Sequence, residues 1–368
     1  MKIAIIGTRG IPNQYGGFEQ FADILSQKLV LKGHQITVYC SANHPYAKDD
    51  LNGVKLIHKF DPENRIGTAG QFIYDLLCLL DARKRDFEII YMLGYTSSSI
   101  WQHLIFNKQA VVITNMDGLE WKRSKYSPSI QKFLKYAEIL AVKYSHNLVA
   151  DSIGIQAYLK TQFNAESTYL PYGSFLFDNA NVQILTNFGL KPYKYDLLIA
   201  RFEPENNIEL ILRAFSVSTT NRQIVLIGDY NHTKFGKQMF SIYNTDPRIR
   251  FMGSIYEQVN LNNLRYFSNL YFHGHSVGGT NPSLLEAMGA SALICYHNNE
   301  FNHSIVGDDG FQFSDYLSLT HIINNYEKSN FQNYLTNNRR KIATTYSWEN
   351  ICSQYEAYFL KLLKFKKP

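Results

Sequence analysis

The sequence predicts an α/β chain of two doubly wound, Rossmann-like domains facing one another across a cleft. Three observations predict it. Apolar runs of strand length alternate with amphipathic segments of helical period from Lys2 to Ala150. The same alternation restarts at Asp196, after an Asn-rich connector near residues 178–192. In each set a glycine-bearing loop follows the carboxyl end of a strand, where open parallel sheets bind their ligands. A chain of 368 residues is also too long for one typical core and suits two.

In chain order, residues 1–7 form an apolar strand that breaks at Gly7-Thr8-Arg9-Gly10-Ile11-Pro12 and continues through Gly16-Gly17 into an amphipathic helix from Phe18 to Leu31. Phe21, Ile24, Leu25 and Leu29 carry its helical period, and Gly33 ends it before the strand Ile36–Cys40. Strands follow over 88–92 and 110–114, then a helix from Ser129 to Tyr144 and a strand over 147–150. The second set has a strand over 196–200, a helix from Ile208 to Phe215, a strand over 223–227, and further strands near 249–252, 270–273 and 292–295. Ser347 to Leu363 reads as a last amphipathic helix. These signals divide the chain into a first domain over 1–187, a second over 188–345, and a C-terminal helix over 346–368 able to pack back on the first domain.

Composition excludes several classes. Residues 1–187 carry 19 Lys and Arg against 16 Asp and Glu, and the remainder 18 against 15, so the net charge of +6 is spread evenly instead of forming a nucleic-acid-binding patch. Cys40, Cys78, Cys295 and Cys352 have no C-x-x-C spacing and are expected to be buried thiols of a reducing compartment. The apolar start at Met1 reads as a strand and not as a signal peptide, and no run is long enough to span a bilayer; the expected location is the cytoplasm, with contact at the inner face of the membrane left open.

The run His273-Gly274-His275-Ser276-Val277-Gly278-Gly279-Thr280-Asn281-Pro282-Ser283-Leu284-Leu285-Glu286 reads as a strand end, a glycine loop and a capped helix start. Asn281 is a good N-cap and Pro282 suits the first helical position, so the free amides and positive dipole end would face an anion, with a phosphate the usual occupant. Glu286, in the second turn, can accept from the hydroxyls of a ribose. The same residues also suit a loop before an ordinary core helix. His273 and His275 fit a core or substrate-contact role better than metal ligation. Arg201, at the end of the second domain's first strand, is placed either for a phosphate or for a structural ion pair. A nicotinamide site is excluded in detail: the first loop is G-x-x-G, and no acidic residue ends the second strand. No D-x-D or H-E-x-x-H spacing invites a metal, so no metal and no cofactor are expected.

Taken together, Ile199-Ala200-Arg201-Phe202-Glu203-Pro204-Glu205, the Gly253-Ser254 turn and Pro282-Ser283-Leu284-Leu285-Glu286-Ala287-Met288 resemble the nucleotide-binding half of family 4 glycosyltransferases of GT-B fold. Gly7–Pro12, Tyr15-Gly16-Gly17-Phe18-Glu19 and Asn115-Met116-Asp117-Gly118-Leu119-Glu120-Trp121-Lys122-Arg123 resemble its bacterial rhamnosyltransferase branch. The resemblance implies that Arg201 grips a donor pyrophosphate, Glu286 binds the ribose, and Gly279, Thr280 and Asn281 offer amides to the phosphates. Gly253, Ser254 and His275 join the donor-binding set, and Gly16 and Gly17 would close over the diphosphate. Two departures stand out. Many relatives carry a Lys where this chain has Asn206 or Asn207, and an additional Glu where it has Gly278; Arg9 is the expected substitute for the missing cation. Asp117 stands where relatives place a histidine, and is either a general base for the acceptor hydroxyl or an Asx turn before Gly118.

The resemblance thus implies a retaining, metal-independent transferase that moves a sugar, rhamnose from dTDP-rhamnose being the leading choice, onto a surface-polysaccharide acceptor that can be carried on a polyprenyl diphosphate. Catalysis would rest on Asp117, Arg201 and Glu286. A sugar-nucleotide epimerase of the same fold and a non-catalytic sugar-nucleotide-binding protein are the alternatives. Lys132, Lys135 and Lys143, spaced along the 129–144 helix, suit either a solvated face or contact with an anionic membrane.

Overall fold

The computed structural model describes every residue except Tyr15, Asn107, Lys108, Asp117, Ser124, Lys367 and Pro368, and the side chain of Lys366. It divides into two compact units. The first comprises Met1–Lys122, Tyr126–Tyr172 and Trp348–Pro368, and the second Arg123–Lys125 with Gly173–Ser347.

In the first unit the strands are β1 (Lys2–Ile6), β2 (Gln35–Ser41), β3 (Asp50–Leu51), β4 (Val54–Lys59), β5 (Ile89–Leu93), β6 (Val111–Met116), β7 (Asn147–Ala150) and β8 (Ser167–Tyr169). They lie in the order β3-β4-β2-β1-β5-β6-β7-β8, all parallel except β3. Order reverses between β1 and β5, the switch point at which doubly wound sheets leave a crevice above their carboxyl ends. Ala4, Ile6, Ile90, Met92 and Val112 bury one face of the sheet under Tyr74, Cys78 and Leu79 of the helix Gly70–Ala82. On the other side, Phe21 of the helix Gly17–Leu31 meets Tyr355 edge-on at 5.1 Å, and Phe359 meets Tyr91 at 5.6 Å. These rings fix the last helix, Trp348–Lys366, within this unit. Ion pairs Lys28–Glu349 and Lys32–Glu356, each 2.8 Å, flank them.

The second unit has β9 (Tyr195–Ile199), β10 (Gln223–Ile227), β11 (Ile249–Phe251), β12 (Tyr271–His273), β13 (Ile294–His297) and β14 (Phe311–Phe313), parallel throughout, in the order β11-β10-β9-β12-β13-β14. Its switch point lies between β9 and β12. The helix Ile208–Ser216 turns Ile208, Ile211, Leu212 and Phe215 onto Leu198, Leu226 and Phe272. The sequence boundary at residue 187 falls inside this unit. Residues 173–187 belong with it because Ser174 bridges to Ser347, the Phe177 amide donates to the Gly289 carbonyl at 3.1 Å, and the Asn181 amide donates to Asn263 Oδ1 at 2.7 Å. All four cysteines are buried and free, and no described helix is long and apolar enough to cross a membrane.

Candidate functional site

At the second switch point, the loops that follow β9, β12 and β13 are tied to one another. Gly274 lies so close to the β9 loop that a Cβ on it would stand 2.0 Å from the Asn206 carbonyl oxygen, so glycine is required there. Asn207 Nδ2 donates to the Gly274 carbonyl at 2.7 Å, and Ser276 donates to the Glu205 carbonyl through both its amide (3.0 Å) and its hydroxyl (2.8 Å). From the β13 side, Asn299 and Asn302 donate to the His275 carbonyl at 3.0 and 2.9 Å. A loop held at this many backbone points keeps its geometry when a ligand arrives, which is the condition for preorganised electrostatic stabilisation.

Arg201 stands on this frame. Its carbonyl accepts from Asn206 Nδ2 at 2.7 Å and from the Glu203 amide at 2.8 Å, while the next side chain, Phe202, is buried in the core. The Arg201 side chain is exposed, and its guanidinium makes no hydrogen bond or ion pair with a described residue. After the β12 loop the helix Pro282–Gly289 begins as the sequence reads: Asn281 is in extended conformation and its side chain accepts from the Ser283 amide at 3.0 Å, with Pro282 in the first turn. Thr280 is buried, Gly279 half-buried. Gly278 has φ +128° with open space where a side chain would go. An L-residue there would be strained, so the loop is built for glycine at the place where relatives are expected to carry glutamate. Glu286 accepts from Arg265 Nη2 at 2.6 Å, and Arg265 is 1% exposed, so a buried cation aims the carboxylate. Gly253 (φ +71°) accepts from the Gly228 amide at 2.9 Å, placing the Gly253-Ser254 turn at the β10 side of the same edge.

His273 and His275 stack with ring centroids 4.4 Å apart. His273 is fully buried and neither ring nitrogen has a hydrogen-bond partner among the described residues; His275 is half-buried and its Nδ1 has none. Burial drives both toward the neutral form. For His275 the charges of Arg201 and Arg123 add to that, and its pKa falls to about 3. Arg123 belongs to the second unit and lies 3.5 Å from the buried carboxylate of Glu205.

The first-unit candidates stand differently. Glu19 organises the β1 loop by accepting from the Arg9 amide at 3.0 Å and the Thr8 hydroxyl at 3.3 Å. The Arg9 guanidinium, expected as a substitute cation, is instead held by both oxygens of Glu63 at 2.9 and 2.7 Å, and Glu63 is kept below its usual carboxylate pKa by that pair. Gly16 precedes the helix Gly17–Leu31 with extended backbone, and its carbonyl accepts from the Gln20 amide. Asp117 lies outside the described residues. Sequence reasoning missed Asp75, on the helix Gly70–Ala82: it is buried, accepts from the Ser97 hydroxyl at 2.6 Å, and burial, with the Asp61 charge adding, pushes it up to about 7. Its only sequence signal was one carboxylate inside the apolar run Ile73-Tyr74-Asp75-Leu76-Leu77. On the helix Pro128–Lys143, Lys132 and Lys143 are exposed. Lys135 is not part of that face: it reaches the buried Glu138 at 2.6 Å and the Tyr158 hydroxyl, with the Trp121 ring 4.7 Å away. Among the described residues no group of three or more His, Cys, Asp or Glu is placed to hold a metal ion.

Comparison with known proteins fixes the class of fold. Along nearly its whole length the chain is similar to sucrose-phosphate synthase from Thermosynechococcus elongatus (16% identity, TM-score 0.81, 99% of each chain covered). It is similar also to HepE from Anabaena, solved with UDP and glucose (15%, 0.77, 98% of this chain and 100% of that one). A third likeness is to an α,α-trehalose-phosphate synthase from Burkholderia xenovorans, solved with glucose-6-phosphate (9%, 0.72, 98% and 100%). The fold is therefore GT-B, two Rossmann-like domains in one chain. Residues 1–175 match a family described as a domain of unknown function, DUF1972. No curated protein sequence matches the chain.

Proposed function

We propose that the protein is a retaining, metal-independent glycosyltransferase that moves a sugar from a nucleoside diphosphate donor to a glycan acceptor, with rhamnose from dTDP-rhamnose as the donor of first choice and a growing surface polysaccharide, lipid-linked or not, as the acceptor. The observation that carries the reading is Arg201. It is an exposed guanidinium without a protein counter-charge among the described residues, at the switch point of the second sheet, on a loop tied to the one that leads into the Asn281-capped helix. Two sources of positive potential on two loops tied to one another suit a diphosphate. Arg265-held Glu286 suits the adjacent ribose hydroxyls, which donate to a carboxylate. The GT-B neighbour solved with UDP and glucose supports the same ligand class.

In the proposed reaction the bond from the sugar's anomeric carbon to the diphosphate oxygen breaks with its electron pair left on the diphosphate. The acceptor oxygen bonds to that carbon on the same face, and its proton passes to the departing phosphate oxygen. The protein's part is to stabilise the charge that grows on the diphosphate, through Arg201 and the helix start. The test is calorimetric titration with dTDP, UDP and GDP in the absence of metal, repeated with Arg201→Ala. Binding of one nucleotide, weakened about 10- to 100-fold by the substitution, is expected from the ordinary strength of hydrogen bonds to charged groups. No binding of any of the three, or binding indifferent to Arg201→Ala, overturns the reading.

A further inference from the structure

A donor held by its diphosphate at Arg201 must send its base in some direction, and Glu286 sets that direction. The Glu286 carboxylate accepts from Arg265 Nη2 at 2.6 Å, and Arg265 belongs to the neighbouring helix Gln258–Phe267, so Glu286 is turned toward that helix. A ribose on Glu286 would lie on the same side of Pro282–Gly289, and the base attached to it would continue the same way. Both helices follow parallel strands, Gln258–Phe267 after β11 and Pro282–Gly289 after β12, so both begin at the carboxyl edge of the second sheet. Packed helices run about 8 to 10 Å apart, a gap that a ribose with its base bridges. The start of the neighbouring helix is therefore where a base arrives.

Tyr256 stands there, on a loop anchored to the one that carries Arg201. A Cβ on Gly228 would stand 2.1 Å from the carbonyl oxygen of Ala200, the residue before Arg201, and the Gly228 amide donates to the Gly253 carbonyl at 2.9 Å. Three residues past that fixed point, Tyr256 is 82% exposed, the most exposed of the large hydrophobic side chains described, and its ring and hydroxyl make no hydrogen bond or ring contact with a described residue. Val259, in the first turn of the helix, is 61% exposed beside it in sequence. A lone exposed aromatic is ordinary on a protein surface. This one ends the line that runs from Arg201 past Glu286, and its free π-face is the surface a planar base covers.

We propose that Tyr256 is the platform on which the donor's nucleobase stacks. The inference rests on the donor reading above and extends it from the diphosphate to the base. Stacking uses the π-face that every base has, so Tyr256 contributes affinity for nucleotides as a class and leaves the phosphates to Arg201.

The experiment titrates the full-length protein by calorimetry with whichever of dTDP, UDP and GDP binds, and with inorganic pyrophosphate, which has no base. Tyr256→Ala should weaken nucleotide binding about 5- to 150-fold, the loss that follows removal of one stacked ring. It should leave pyrophosphate affinity and the melting temperature of the unliganded protein at wild-type values. Tyr256→Phe keeps the ring and should bind the nucleotide like wild type. Unchanged nucleotide affinity in Tyr256→Ala overturns the proposal. So does an equal loss in Tyr256→Phe, which would assign the effect to the hydroxyl, and so does a parallel loss of pyrophosphate affinity. Nucleotide binding that responds to Arg201→Ala and not to Tyr256→Ala leaves the donor reading standing without this platform. If neither dTDP, UDP nor GDP binds the wild-type protein, the donor reading itself fails and this inference falls with it.

Discussion

Asp75→Asn should make the protein's stability far less dependent on pH. Asp75 is 4% exposed and its carboxyl is raised from 3.8 to about 7 by burial, with the Asp61 charge adding and the Ser97 hydrogen bond opposing. A raised carboxyl binds its proton more tightly in the folded state, so the contribution of Asp75 to stability is fully present below pH 3.8 and is lost progressively as pH rises from 3.8 to about 7. Each tenfold change in proton affinity between the folded and unfolded chains is worth about 1.4 kcal/mol, so the cost relative to the unfolded chain is about 4 kcal/mol at pH 8 and about 2 kcal/mol at pH 5. Asparagine keeps an oxygen for the Ser97 hydroxyl and has no charge to bury. The variant should therefore gain about 2 to 3 kcal/mol on wild type between pH 5 and pH 8. Urea unfolding followed by tryptophan fluorescence reads the relevant half of the molecule, because Trp101, Trp121 and Trp348 all lie in the first unit. Unfolding curves for the two proteins that stay parallel across that pH range refute the reasoning. They would mean that Asp75 is ionised and solvated in the folded state.

Two further outcomes test the local architecture. Gly274→Ala places a methyl group 2.0 Å from the Asn206 carbonyl oxygen and should part the β9 and β12 loops; overpacking of this kind costs roughly 1 to 3 kcal/mol. Its melting temperature should fall and its nucleoside diphosphate affinity should drop tenfold or more by calorimetry, and a variant with wild-type values in both shows that the loops are not stitched as described. Lys135→Ala removes the cation from the buried Glu138 and should destabilise by roughly 3 kcal/mol, whereas Lys132→Ala and Lys143→Ala, at exposed positions, should stay within about 0.5 kcal/mol of wild type. Equal small effects at all three positions in urea unfolding would return Lys135 to the solvated face.

The parts of the fold legible in the sequence are those whose signals are local. Asn147–Ala150 and Gln223–Ile227 are short β-branched or leucine-rich runs closed by turn residues, and the strands occupy those residues. Asn281-Pro282 announces a helix start because capping needs only the residues next to it. Elements without such signals passed unread. Gly70–Ala82 is apolar on nearly every side except Asp75 and has no side-chain cap, so its period is masked. Gln258–Phe267 has three asparagines in ten residues and reads as a loop, although Leu261, Leu264 and Phe267 give it a buried face. Val54–Lys59 interleaves apolar residues with Lys55, His58 and Lys59, and gains its strand from pairing beside β2.

The candidate site divides along the same line. Positive charge is visible in the sequence, but its commitment is not. Arg9 stands in a glycine loop that invites a phosphate, yet its charge is matched by Glu63, 54 residues further along the chain. Arg123 stands in a run of basic residues that suggests a surface, yet it is the residue that the fold carries to Glu205 and within electrostatic reach of His275. Asn206 and Asn207 look like the loss of a lysine until their amides are found holding the carbonyls of Arg201 and Gly274. A lysine at either position could not donate an amide hydrogen bond of that geometry, so restoring the expected charge there would loosen the loop that positions Arg201.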